Sequence, residues 1–330
     1  MRKWLVLACV FSVAAAAAQT PPEPVPSSQS PALEPVIPLW AEIETVDARN
    51  APGPAMWHIT RGNSEVWILG MIGTIPKDVT WNSKPLAETI KGSRAIILGQ
   101  RPDINLLDIS WFLVTHCCSF FRLDDGKLDD FLPEATRVKL SAMRESVGGD
   151  ARLYQGDEPL GAANRLGGDY NKKYEKDLRG TNPMPAVLKL ANDNKVPQQP
   201  IFHFDPIPMG KELFKLTPQQ QLPCLEANMQ DIERRVVHVR PMSEAWATGD
   251  IKGVKEHFAE QRIADCLAAA VHAFGAMQQN QVPAFVAAIT AALDKPGKTF
   301  AVVDMGPLLR KGGVLAQLEA KGLTIEGPPE

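Results

Sequence analysis

Six histidines and five cysteines are the side chains from which this 330-residue chain could assemble a metal site or a nucleophile with its base. His203 and Asp205 alternate along Phe202-His203-Phe204-Asp205, which places them on one face if the segment is extended. His238 and Arg240 alternate in the same way. His257 follows Glu256 on a helical stretch, and His272 lies in an alanine-rich one, where it is expected half-buried and hydrogen-bonded. None has a second histidine at metal-binding spacing, so each reads as structural. The tripeptide His116-Cys117-Cys118 could seed a metal cluster, but it follows the apolar run Trp111-Phe112-Leu113-Val114, where small sulfur side chains are usually core. Gly-x-Ser-x-Gly, a phosphate loop and a dinucleotide fingerprint are all absent, and the pairs Gly148-Gly149 and Gly167-Gly168 read as loops.

The cysteines point to a compartment. Arg2 and Lys3 precede an apolar run from Trp4 to Ala18 that ends in alanines, the order of a secretory signal cut after Ala18. A spanning anchor needs about 20 apolar residues, so the expectation is a periplasmic or secreted chain that is not transmembrane after processing. Export implies an oxidising compartment, in which Cys117, Cys118, Cys224 and Cys266 tend to pair. Adjacent Cys117 and Cys118 are awkward to bridge to each other. Cys224 and Cys266 lie in two helical segments that could be stapled side by side, and they are the expected disulfide.

Losing the two cations Arg2 and Lys3 with the leader takes the formal charge from −3 to −5, so nothing draws the chain to nucleic acid. Residues 19 to 38 hold seven prolines, and residues 19–50 are expected to form an extended tether. Residues 51–330 then make the folded domain.

Elements that could position a site follow from patterning. Met56–Thr60 and Glu65–Leu69 flank the turn signal Arg61-Gly62-Asn63-Ser64 and predict an entry hairpin. A helix over 85–91 and a buried strand over 95–98 complete a parallel βαβ unit. The middle is helical, over 132–147, 186–194 and 219–246, the last broken or kinked at Pro223 and Pro241. Gly249-Asp250 stops that helix and caps the next, which runs to His257. Helices over 282–293 and 312–321 and strands over 299–303 and 323–325 close the chain. The predicted class is α/β (α+β), with one central sheet formed by the N- and C-terminal segments and a helical middle region.

Four segments, PAMWHITRGNSEVWILGMIGTIP, RAIILG, SEAWATGDIKGV and KTFAVVDMGPLLRKGGVLAQLEAKGLTI, in this order and spacing, resemble the TraB/PrgY/GumN family along the whole folded part. The resemblance implies a Tiki-like fold and a metal site built from a Gly-x-x-His after the first sheet strand, a glutamate at the end of the next, and a second Gly-x-x-His near the C-terminus. A divalent ion held there would lower the pKa of a bound water and polarise a carbonyl. Carried over residue by residue, Gly70 matches the first glycine and Gly73 stands where its histidine is expected. Gly99 takes the place of the glutamate, and Asp304 and Pro307 take the places of the second glycine and histidine. Asp304, before Met305-Gly306-Pro307, reads as a turn former.

Two readings follow. In the first the chain is not an enzyme, needs no metal or other cofactor, and uses its cleft to bind a peptide, a small ligand or a partner protein, or keeps it as a vestige. In the second it is a metal-dependent hydrolase whose rearranged site recruits Asp304, His203 or His58. Ligand count favours the first, since a stable site wants at least three protein ligands.

Overall fold

A computed structural model describes residues 40–41, 45–47, 53–105, 110, 121–258 and 261–328 of the chain. The leader, residues 19–39 of the expected tether and His116-Cys117-Cys118 lie outside the described residues; of the rest of the tether, Trp40 bridges Arg310 and Thr45–Asp47 pairs with Ile325–Gly327. Strands β1 (Thr45–Asp47), β2 (Met56–Arg61), β3 (Ser64–Met71) and β4 (Ile75–Pro76) lead to helix α1 (Lys84–Ile90) and strands β5 (Ile96–Leu98) and β6 (Arg101–Pro102). The middle carries α2 (Leu128–Phe131), α3 (Glu134–Ser146), α4 (Pro159–Lys173), α5 (Glu175–Leu178), β7 (Gly180–Thr181) and α6 (Met184–Asp193). It continues through β8 (Gln198–Pro200), β9 (His203–Phe204), α7 (Pro206–Leu213), α8 (Pro218–Thr248), α9 (Ile251–His257), α10 (Arg262–Ala270) and α11 (His272–Leu293). The chain closes with β10 (Gly297–Asp304), α12 (Met305–Leu309), α13 (Val314–Glu319) and β11 (Ile325–Gly327).

One seven-stranded sheet, in the order β1-β11-β2-β3-β10-β5-β8, joins the two ends of the chain as the patterning requires. The hairpin β2–β3 turns at Gly62, whose φ of 57° is the left-handed region that glycine enters freely. From β3 onward the strands run parallel. The expected βαβ unit is parallel, but its two strands are not neighbours, because β10 inserts between β3 and β5. That insertion follows from burial. The run Phe300-Ala301-Val302-Val303 is apolar on both faces and fully enclosed, so it needs a strand on each side and helices above and below.

Around this sheet lies the main core. A second cluster, including Leu140, Leu166, Leu225 and Ile232, packs α3 and α4 against α8. Arg144 is enclosed beside it at 1% exposure and forks onto Asp129 through Nη1 and Nη2 at 3.2 and 2.9 Å. Gly167-Gly168, read as a loop, lies inside α4, where Ala162, Ala163 and Leu166 supply a buried stripe that overrides the glycines' low helix propensity.

Helix α8 corrects the expectation of a break. It runs unbroken over 31 residues with Pro223 and Pro241 inside it. Each proline removes one backbone bond, and tertiary anchors hold both sides. A disulfide joins Cys224 to Cys266 of α10 with Cα atoms 5.4 Å apart. Beyond Pro241, the Ser243 hydroxyl faces the Val239 and Thr74 carbonyls, and Trp246 is wholly enclosed. The stop and restart are as expected: Gly249 takes φ 80° after the last turn, and Asp250 accepts from the Gly253 amide at 2.9 Å.

Candidate functional site

Parallel strands bring chemistry to their carboxyl ends, and here β3, β10 and β5 end side by side. Met71 stands opposite Asp304 in register, so the segments after β3 and β10 leave the sheet together. They open into a cleft of about 440 Å³ whose floor includes Gly73, Gln100, Asp304 and Pro307. Met242, Phe258, Phe274 and Met277 form its apolar walls, interleaved with the amides of Gln261, Gln278 and Gln281. Gly99 follows β5 at the same sheet edge without lining the cleft, and its neighbour Gln100 accepts from Gln281 at 3.4 Å.

The glycines differ in what holds them. A Cβ on Gly70 would come within 2.9 Å of the Trp57 ring and 2.7 Å of the Met305 methyl. Close packing demands that glycine, rather than a sharp turn, since Gly70 lies within β3 and its φ is not positive. Above Gly73 and Gly99 a Cβ would meet nothing within 4 Å. Side chains would fit at both positions, so packing does not explain their absence.

Asp304 is exposed to the cleft and, among the described residues, has no hydrogen-bond or ion-pair partner. Protein crowds it on its other sides, and this burial pushes its carboxyl above the usual carboxylate range. The two observations pull against each other: cleft water tempers the shift without reversing it. Its carboxylate faces an apolar, amide-rich groove that Asp265 and Arg310 also line.

A side chamber of about 290 Å³ adjoins the cleft and shares Gly73, Met242 and Gln261 with it. His238 of α8 and His257 of α9 meet there, Nδ1 to Nδ1, at 3.3 Å. Burial, then His257 and Arg234, lower the His238 pKa. Asp231, also in the chamber, caps α10 by accepting from the Arg262 and Ile263 amides at 3.0 and 2.9 Å. Its burial still outweighs those bonds and raises its carboxyl. The two histidines lie 19 residues apart along the chain, on different helices. The signal that joins them is the Gly249-Asp250 turn, 11 residues after His238 and seven before His257, which folds α9 back on α8.

The model of the TraB/PrgY/gumN family matches residues 55–327. The chain belongs to that family. No match was found among curated proteins or among solved structures.

In this TraB/PrgY/gumN-family chain the other singled-out residues lie away from the cleft. His58 sits between two carboxylates, Nδ1 3.0 Å from Glu326 and Nε2 2.9 Å from Glu65, and stacks on Trp67. His203 contacts Asp103 at 2.7 Å, while Asp205 caps α7 through the Ile207 amide. Neither histidine joins Asp304 in the cleft. Arg240 does not share a face with His238, because both are helical and two residues apart; it binds Asp177 and Asp78 instead. His272 is exposed at the first position of α11 rather than half-buried. Among the described residues no group of three or more His, Cys, Asp or Glu side chains could hold a metal ion, and no helix is long and apolar enough to cross a membrane.

Proposed function

We propose that this chain is an exported, non-catalytic member of its family, and that its cleft binds a peptide segment. The observation that carries the reading is the donor set at the sheet edge. Gly73, Gly99 and Pro307 offer no side-chain ligand, and Asp304 has no partner among the described residues. The family's divalent metal does not fit such a set, since a catalytic ion needs about three protein ligands. No hydrolytic step is derived through it.

The cleft wall favours a peptide over other occupants. Met71, Met242, Met277 and Met305 are adaptable apolar contacts, the two phenylalanines add rigid area, and the glutamine amides can both donate to and accept from a peptide backbone. A rearranged hydrolase would need Asp304, His203 and His58 in one pocket, and the two histidines are engaged elsewhere with carboxylates of their own.

Incubation of the purified protein with a mixed peptide library, followed by mass spectrometry of the retained and free fractions, tests this. The expected result is retention of intact peptides with apolar side chains. Chelator-sensitive cleavage would contradict it.

A further inference from the structure

The side chamber carries buried basic groups that the cleft does not explain. Arg235 lines it, largely withdrawn from water, and its Nη2 donates to a neutral partner, Asn171 Oδ1, at 3.1 Å. The adjacent Arg234 has a buried Nη1 with no partner among the described residues. Among the described residues neither arginine forms a salt bridge, although the charge of Asp231 bears on both. Asp231, the acid in the chamber, already accepts two backbone amides at the head of α10. A buried guanidinium whose nearest carboxylate is shared and committed elsewhere by hydrogen bonds is costly. His238 and His257 add two rings with their Nδ1 atoms face to face, an arrangement in which a second proton is repelled unless an anion lies beside it.

We propose that this chamber is an anion site, with Arg235 and the His238–His257 pair as its cationic face, and that it takes the terminal carboxylate of the ligand lying in the cleft. The anion half stands on the chamber alone. The carboxylate half rests on the peptide reading and follows from the shared wall: Gly73, Met242 and Gln261 border both spaces, so a chain end can pass from one to the other. A guanidinium presents its N–H donors as a fork matched to a carboxylate.

Anion binding favours the protonated histidine pair, so by reciprocity it raises the pair's apparent pKa and tightens as pH falls through the histidine range. Arg234 of α8 bears on His238 directly, Asp231 and Arg235 of α8 line the same chamber, and Arg262 of α10 bears on Asp231; of these four Asp231 opposes the anion.

The test is ring-proton NMR of the full chain, disulfide intact, titrated with sodium acetate against sodium chloride at constant ionic strength and pH 6. The proposal expects saturable shifts of His238 and His257, none at the exposed His203, and at least tenfold weaker acetate binding in Arg235→Gln. Equal response at all three histidines, or no effect of Arg235→Gln in a variant whose melting temperature is unchanged, overturns it. If Arg235→Gln fails to fold, His257→Gln replaces it with the same expectation. Saturation by zinc without any acetate response would make the pair a metal clasp and also overturn it. Inorganic phosphate binding far more tightly than acetate would remove the carboxylate assignment. N-acetyl-Met-Phe as free acid should bind about tenfold better than its amide, a single charge-assisted contact. Equal binding of the two defeats the carboxylate half while leaving the cleft reading intact, and acetate shifts with no peptide binding defeat the cleft reading alone.

Discussion

The indole N–H of Trp246 donates to the carbonyl oxygen of Gly70 at 2.7 Å, tying the C-terminal part of α8 to the end of the strand that floors the cleft. Both partners are enclosed, and Trp81 packs edge-on against the indole. The bond fixes the helix that carries His238 relative to the sheet edge that carries Gly73 and Asp304.

Trp246→Phe keeps most of the ring volume but leaves the Gly70 carbonyl without its donor. It should cost about 2 kcal/mol, the range for a buried polar group left unsatisfied. Urea unfolding reads this as a lower midpoint with an unchanged slope.

Gly70→Ala should destabilise by about 1–3 kcal/mol, because the rigid Trp57 ring cannot yield as the Met305 methyl can. Gly73→Ala and Gly99→Ala enter open space and should stay within about 0.5 kcal/mol of the parent. Melting temperatures of the three variants separate a packing glycine from two that packing does not require.

Reducing the Cys224–Cys266 bridge should cost about 2–4 kcal/mol, since it closes a loop across 42 residues of sequence separation. It also frees α10 from α8 beside Pro223. Denaturant unfolding with and without reductant measures the loss, and Cys224→Ser with Cys266→Ser should match the reduced parent.

Burial pushes the Asp129 carboxyl up, and hydrogen bonds from Arg144 and Gln155 more than offset it, so its pKa lies below the usual value. A lowered folded-state pKa gives stability that is present above the unfolded value near 3.8 and is lost as pH falls through the folded one. Arg144→Gln should lower stability at neutral pH by about 2 kcal/mol. It should also flatten the acid limb below about pH 4, which stability measured against pH will show.

Much of this was legible in the sequence because burial leaves a direct mark on residue type. The turn Arg61-Gly62-Asn63-Ser64 announced the hairpin, Phe300–Val303 announced a strand covered on both faces, and Gly249-Asp250 announced a stop and a cap. The insertion of β10 between β3 and β5 was not legible, since strand order depends on contacts far apart in the chain. Neither was the continuity of α8: the Cys224–Cys266 bridge was expected, but the Trp246 bond to Gly70 that holds the helix beyond Pro241 is a tertiary contact. At the site, three of the positions singled out in the sequence, Gly73, Asp304 and Pro307, line one cleft, and Gly70 lies within β3 beneath it. Sequence patterning missed the His238–His257 chamber, because single residues were weighed along the chain and not across the helical hairpin that pairs them.

The measurement that bears most directly on a non-catalytic cleft is the metal content of the purified protein, disulfide intact, after dialysis against manganese, cobalt and zinc in turn. The account predicts far less than one ion per chain in each case, unchanged by Asp304→Ala. Near-stoichiometric retention that Asp304→Ala abolishes would contradict it and place a metal at the end of β10.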